Sequence, residues 1–404
     1  MRPLSARTRS LLAACAVGLV ALGVYWLANR GYDAGRGDFF YLADAFVHGR
    51  TWIDVRLAPW DVIPNGAQTF VPFAPFPAII LMPLVALVGP GTADALEPLL
   101  NAGIAGLDIA LAWLLAVRLG VGRPLDRVWL VLLLGFSTPI LWVTTRGGVW
   151  HTGQLVATAL TLLTLLEFHG RRRPLPIGLL VGMAFLTRAP LAFAGPAFAL
   201  WYGLDAGWRP SRQLRPFLPV ASRAWALLIA GFLPALAFFA WYNLARFGSP
   251  FESGYALATL PEWLERQRQM GLFSLAHVPM NLDYLFLHLP APIPEFPYLR
   301  PDGLGLSVLL TSPGLLLAAR APWRDRQAPA LLLAAALVLV PTLLYYGGGW
   351  LQYGYRYFLD SIPFVWALAA MAVASRGRMP FGAKLAIAFG VLVNVVGLYW
   401  AYRL

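Results

Sequence analysis

Five carboxylates, Asp33, Asp38, Asp44, Asp54 and Asp61, fall between residues 33 and 61 of a chain with only 19 Asp and Glu among its 404 residues. Asp38 follows Gly35-Arg36-Gly37 and opens the aromatic run Phe39-Phe40-Tyr41-Leu42. Written on a helix, Asp38, Tyr41, Leu42 and Ala45 share one face and Phe39 and Phe46 another. The spacing predicts a juxtamembrane helix with its aromatics toward lipid and its carboxylate toward a cavity. A carboxylate so placed can take the proton of a hydroxyl as that oxygen attacks an electrophile. Capping the helix is the alternative role for Asp38, and one residue can do both.

Such a helix has to be held by the rest of the chain, which is 59% hydrophobic and 12% charged, with mean hydropathy +0.65. That balance belongs to an integral membrane protein, and helices are the spanning elements it supports. The net charge of +12 comes from arginines in short turns between apolar runs. This is the pattern of cytoplasmic loops and leaves no basic surface for nucleic acid. Cys15 is the one cysteine, which excludes an intrachain disulfide and a cysteine-ligated metal. The first apolar run, preceded by Arg2, Arg7 and Arg9, reads as an uncleaved helix with its amino terminus inside.

Apolar runs of spanning length lie near 10–28, 96–118, 128–146, 150–168, 224–244, 303–320, 328–346, 358–375 and 385–402. Residues 174–204 read as two short helices meeting at Thr187-Arg188-Ala189-Pro190. The sequence therefore predicts an all-α, polytopic bundle of about 11 or 12 helices. It forms one domain over 1–404, with a first outer loop at 29–72 and a second at 245–302. Pro261 to Arg268 reads as an amphipathic surface helix. Turns carrying Arg118, Arg123, Arg171, Arg209, Arg212, Arg215, Arg223, Arg320, Arg324, Arg376 and Lys384 are expected inside, with Arg188 and Arg356 outside. Parity then makes the proline-rich 73–89 piece re-entrant or interfacial, or else the Arg118 turn breaks the rule; the first is the favoured reading.

Asp38-x-x-Tyr41-x-x-x-Ala45-x-x-x-x-Gly49-x-x-x-x-Asp54, followed by Phe73-Ala74-Pro75-Phe76-Pro77, resembles the C-type membrane glycosyltransferase superfamily. The likeness is to bacterial relatives of the protein O-mannosyltransferases and aminoarabinose transferases. Gly182 to Arg188, Arg246-Phe247-Gly248-Ser249-Pro250 with Gly254-Tyr255, and Gly354-Tyr355-Arg356-Tyr357 fit the same pattern, so the resemblance covers nearly the whole chain. It implies a transferase in the cell envelope that moves a sugar from a polyprenyl-phosphate donor, with Asp38 at the catalytic base. Two departures stand out: Phe39 replaces the second acid of the family's pair, and the large soluble domain of some relatives is missing. The second departure points to a lipid-linked or small acceptor.

A polyprenyl phosphate is already a good leaving group, so cationic stabilisation and one base suffice for single displacement with inversion. Guanidinium suits the phosphate because its planar fork binds two oxygens and stays charged. Arg356, Arg188, Arg246 and Arg56 are the arginines expected on the outer face. Arg356 ranks first, beside Gly347-Gly348-Gly349-Trp350 and the Tyr353 to Tyr357 rim. Snorkelling to lipid headgroups is the competing role for each, and the weightier one for Arg246 and Arg56. Tyr41, Asp54, Trp60, Asp61, His151, Gln154 and Tyr357 are the expected substrate contacts. The five histidines form no close ligand spacing, so no zinc site and no other firm cofactor is expected. A divalent cation held by Asp38 with Asp54, Glu252 or Asp283 is the less favoured arrangement.

A polytopic transporter or lipid flippase is the alternative function. It would need related halves and charges near the midplane of several helices. No repeat is evident, and polarity concentrates in the outer loops. The expected setting is a bacterial-type inner membrane, with the active site on its outer face.

Overall fold

The computed structural model describes residues 5–29, 32, 35, 37–54, 62–205, 218–401 and 403, with side chains from 222 onward in the helix that begins at 218. The fold is an all-α polytopic bundle with two small hairpins. Its first part holds α1 (Ala6–Asn29), α2 (Asp38–Val47), α3 (Phe76–Val88), α4 (Pro90–Ala95), α5 (Glu97–Arg118), α6 (Pro124–Phe136), α7 (Ile140–Arg146) and α8 (Val149–Phe168). There follow α9 (Pro174–Phe185), α10 (Ala194–Asp205), α11 (Leu218–Phe247), α12 (Glu262–Gln269) and α13 (Val278–Leu282). The chain ends with α14 (Val308–Thr311), α15 (Gln327–Leu344), α16 (Ile362–Arg376) and α17 (Phe381–Ala401).

Among the described residues six helices, α1, α5, α8, α11, α15 and α17, are long and apolar enough to cross a membrane. The pair α6–α7 makes a seventh if counted as one span bent by 52°. Pro139 sits at that bend, where it has no N–H to continue the helix. The run at 303–320 is expected as a straight span, but it is broken into α14 and a 3₁₀ segment over Pro313–Arg320. Pro313 again supplies the cause. The remaining apolar runs form shorter helices, α3, α9 and α16, so the bundle has fewer full-length crossings than apolar segments.

α8 is the axis of the bundle, buried along nearly its whole length. Thr158, Thr161 and Thr164 return their hydroxyls to carbonyls one turn back, at 2.8–2.9 Å. This satisfies polar groups that would otherwise be costly in an apolar interior. α1, α11 and α17 face outward along most of their length. Two close crossings tie them in. Gly18 of α1 and Gly106 of α5 bring backbones together so tightly that a Cβ on either would lie 2.7 Å from the other's carbonyl oxygen. Gly178 of α9 and Gly231 of α11 make a similar seam, where small residues stand in for the absent hydrophobic driving force within lipid.

α3 has 13 residues, a rise of about 20 Å, short of a roughly 30 Å hydrocarbon core. It begins where Phe76 N donates to Leu186 O, beyond the end of α9. The chain is at the same end when α5 starts, because Glu97 there accepts a bond from Gly148 N at the mouth of α8. Residues 73–89 therefore enter and leave the bundle at one end. At the opposite end the basic turns gather: Arg376 donates to Arg320 O and Arg326 to Leu204 O.

Candidate functional site

The first turns of α8 are the meeting point. α2 lies against them from one side, with the Phe39 ring 3.7 Å from the position a Cβ would take at Gly153. Phe39 and Phe40 are buried, and Phe39 packs edge-on against Phe73 at 6.4 Å. These aromatics face the protein, not lipid as the amphipathic reading has it, because α3 and α8 cover that side of α2. Asp38 is fully buried at the first residue of α2. The cap position belongs to Gly37 and carries no side-chain bond, so Asp38 does not cap the helix in the usual sense. A side chain at Gly37 would collide with the Asp94 carboxylate of α4. The Asp94 carboxylate thus lies against Gly37, the residue before Asp38, and comes from another helix.

From the other side a 3₁₀ turn, Arg356–Asp360, closes over the same part of α8. Gln154 Nε2 donates to the Arg356 carbonyl at 2.8 Å, and Arg356 N donates to Gln352 Oε1 at 3.2 Å. The backbone of Arg356 is therefore pinned at both ends. Its guanidinium lies over the Tyr357 ring at 4.7 Å, and its Nε is buried with no hydrogen-bond partner among the described residues. Arg188, at the break between α9 and α10, lies over the same ring at 5.5 Å and donates to Asp360 Oδ1 at 2.6 Å. Two guanidiniums thus share one phenol ring, with a single carboxylate paired to one of them. His151 is buried one turn into α8, its Nδ1 2.5 Å from Gly147 O, and within electrostatic reach of Arg356. Around this group stand Tyr255, Tyr345 and Tyr355; burial pushes the Tyr255 phenol up to about 12, so it donates at neutral pH.

Of the residues expected to act together, Asp38, His151, Gln154, Arg188, Arg356 and Tyr357 gather at this end. Tyr41 is half-buried on α2. Arg246 is committed elsewhere: it donates to Tyr242 O, Val71 O and Asn243 Oδ1 at 3.3, 2.8 and 2.7 Å, which fastens the segment before α3 to α11. Asp54 is exposed and paired with Arg50 at 2.5 Å. Arg56, Trp60 and Asp61 lie outside the described residues, as do Arg209, Arg212 and Arg215.

Sequence reasoning misses Asp94, Glu97 and Asp360. Glu97 is buried and bonds both Gly148 N and Thr152 Oγ1, at 3.1 and 2.9 Å. Asp360 had a usable signal: it is the sole carboxylate after Asp325, and a buried arginine needs one. Among the described residues no three His, Cys, Asp or Glu side chains are grouped to hold a metal ion.

No protein-family model and no curated protein matches the sequence. Solved structures do. The oligosaccharyltransferase of Archaeoglobus fulgidus in its apo form superposes with TM-score 0.50 at 15% identity, over 98% of this chain and 55% of that one. The archaeal oligosaccharyltransferase AglB from the same organism, in complex with an inhibitory peptide and a dolichol-phosphate, gives 0.46 at 14% identity over 96% and 55%. The form tethered to an acceptor peptide containing the NVT sequon gives 0.42 at 15% over 96% and 54%. The chain spans about half the length of these proteins. The first likeness establishes a fold shared with that archaeal oligosaccharyltransferase over nearly the whole of this chain.

Proposed function

We propose that this chain is a membrane glycosyltransferase that moves a sugar from a polyprenyl-phosphate donor to a lipid-linked or small acceptor. The observation that carries the reading is the pair Arg188 and Arg356 over the Tyr357 ring, at the mouth of α8, within a fold of this type. An oligosaccharyltransferase of similar fold has been solved with a dolichol-phosphate, a ligand of the same chemical class.

In the proposed reaction the acceptor hydroxyl attacks the anomeric carbon as its proton passes to Asp38. The bond from that carbon to the phosphate oxygen breaks, and its electron pair leaves with the polyprenyl phosphate. Arg356 receives the developing charge on the leaving oxygens, with Arg188 beside it. Displacement from the face opposite the phosphate inverts the anomeric centre. His151, Gln154, Tyr41 and Tyr357 line the path between base and phosphate, while Arg246 serves the scaffold. The whole of 1–404 acts as one membrane domain, with loops 29–72 and 245–302 on the outer face of a bacterial-type inner membrane and the amino terminus inside.

The test compares two variants with a radiolabelled polyprenyl-phosphate sugar. Asp38→Asn is expected to fold and bind donor normally while transfer falls about 10²–10⁴-fold. Arg356→Ala is expected to weaken donor binding as well. Ordinary transfer by Asp38→Asn would remove it from the role of base, and unchanged donor affinity in Arg356→Ala would move the phosphate site elsewhere.

A further inference from the structure

A second polar cavity opens at the other end of α8. It has a volume of about 450 Å³ and is lined by Arg118, Gly120, His169, Arg172, Asp325 and Gln327, with Ser375 and its neighbours on α16 behind them. That volume falls within the range of roughly 300–1,000 Å³ typical of small-ligand sites. α8 has 20 residues, so its ends lie about 30 Å apart, one hydrocarbon thickness. The cavity is therefore at headgroup level, on the face away from Asp38 and Arg356.

Its walls carry both signs of charge. Arg118, at the end of α5, lies with its guanidinium against Gly170, Nη1 being 3.1 Å from the position of a Cβ there. Arg172 adopts φ +57°, a conformation that ordinary side chains avoid, and its guanidinium lies 5.3 Å above the Trp201 ring. Its carbonyl is held by the Tyr202 hydroxyl at 2.9 Å, so the turn is kept in this shape. Asp325 faces them across the cavity, one of its oxygens accepting Gln327 N at 3.0 Å at the start of α15. Between them lies His169, whose ring hydrogen-bonds the Gln327 side chain and stands within electrostatic reach of Asp325 and Arg172.

We propose that this cavity binds the headgroup of a phospholipid carrying a phosphodiester and a primary ammonium. The phosphate takes the two guanidiniums, and the ammonium takes the Asp325 carboxylate. Arginines alone would suit any anionic lipid, as basic pockets between membrane helices do. The acid across the cavity selects a zwitterion, and selects a primary over a quaternary ammonium, because only the former donates hydrogen bonds to a carboxylate.

The experiment uses the full chain in detergent. It is titrated with phosphatidylethanolamine, phosphatidylcholine and phosphatidylglycerol of identical acyl chains, and with soluble glycerophosphoethanolamine. Bound lipid is read by native mass spectrometry, and folding is checked by thermal unfolding. Phosphatidylethanolamine is expected to be retained about tenfold better than phosphatidylcholine, the value of one hydrogen bond to a charged group. Asp325→Asn keeps an oxygen to cap α15 and is expected to abolish that preference without loss of folding. Arg118→Gln with Arg172→Gln is expected to weaken all three lipids. Equal retention of the two zwitterionic lipids by the unmodified chain, or a preference that survives Asp325→Asn, overturns the assignment. Binding of glycerophosphoethanolamine as tight as that of the lipid also overturns it, in favour of a soluble phosphodiester.

Discussion

Arg188 and Asp360 meet at 2.6 Å with side chains 17% and 1% exposed, which makes this an ion pair largely withdrawn from water. The second oxygen of Asp360 is buried without a partner among the described residues. Such a pair is expensive to break one-sidedly, since the charge left behind stays buried. Asp360→Ala is therefore expected to destabilise the protein by about 3–5 kcal/mol, and Arg188→Ala with Asp360→Ala to recover much of that loss. Thermal unfolding of the single and double variants measures the difference. A double variant no better than the single would mean that Asp360 acts through packing and not through Arg188. The same residues show what a sequence conceals. Asp38, Arg188 and Arg356 are legible because each is a charge in an aromatic or glycine-rich setting between apolar runs. Asp94 is not, because its role depends on Gly37 lacking a side chain, a relation between residues 57 positions apart that no local pattern records.

The elements that hold the site depend on two kinds of fastening. One is steric. Gly178 and Gly231 allow α9 and α11 to touch backbone to backbone, so that a Cβ at Gly178 would press on Leu228 O. Gly178→Leu is expected to cost about 1–3 kcal/mol or more through overpacking, seen as a lower melting temperature in detergent. An unchanged melting temperature would mean that the seam opens freely. The other fastening is electrostatic. His288 Nδ1 approaches Asp283 Oδ2 at 3.1 Å and its Nε2 approaches Asp302 Oδ2 at 2.8 Å. Asp302 also accepts Leu304 N, and the carbonyls of Gly303 and Leu304 receive Gln352, which holds Arg356 N. Burial lowers the His288 pKa, but the bonds to Asp302 and Asp283 outweigh it, and the net shift is upward. A raised folded value means that the clamp contributes fully below the ordinary histidine pKa of about 6.5 and fades as pH rises through the folded value. The gap in melting temperature between the unmodified protein and His288→Ala should accordingly be widest in acid and close as pH rises. A gap that widens with pH would reverse the assignment. Neither fastening is visible in hydropathy, which reports apolar length but not the prolines' bends or the glycines' contacts.

At the scale of the molecule, polarity is sorted to the two ends of the bundle. Glu97, Asp38, Arg188 and Arg356 meet at the mouth of α8, the basic turns meet about 30 Å away, and the stretch between them is closed by threonines bonded to their own helix. Hydropathy and arginine placement make this sorting readable in the sequence, along with the all-α class. The count of full-length spans is not readable that way, because Pro139 and Pro313 bend or break runs whose composition alone would cross. A transporter needs a site near the midplane, formed by broken helices of related halves, that opens to both faces in turn. Here the described carboxylate nearest the middle of a full-length span is Asp108 of α5, buried beside Tyr25, which itself donates to Gly135 O at 2.9 Å. A lone acid packed in this way, with no cation described beside it, offers no relay from one end to the other. In proteoliposomes loaded with labelled polyprenyl-phosphate sugar, the chain is therefore expected to yield a glycosidic product once acceptor is supplied on the Asp38 side, and to give no counter-flow without it. Product formation should vanish with Asp38→Asn while the label stays where it was placed. Exchange of label across the bilayer with no product, unaffected by Asp38→Asn, would assign the polar end to a gate and not to a reaction site.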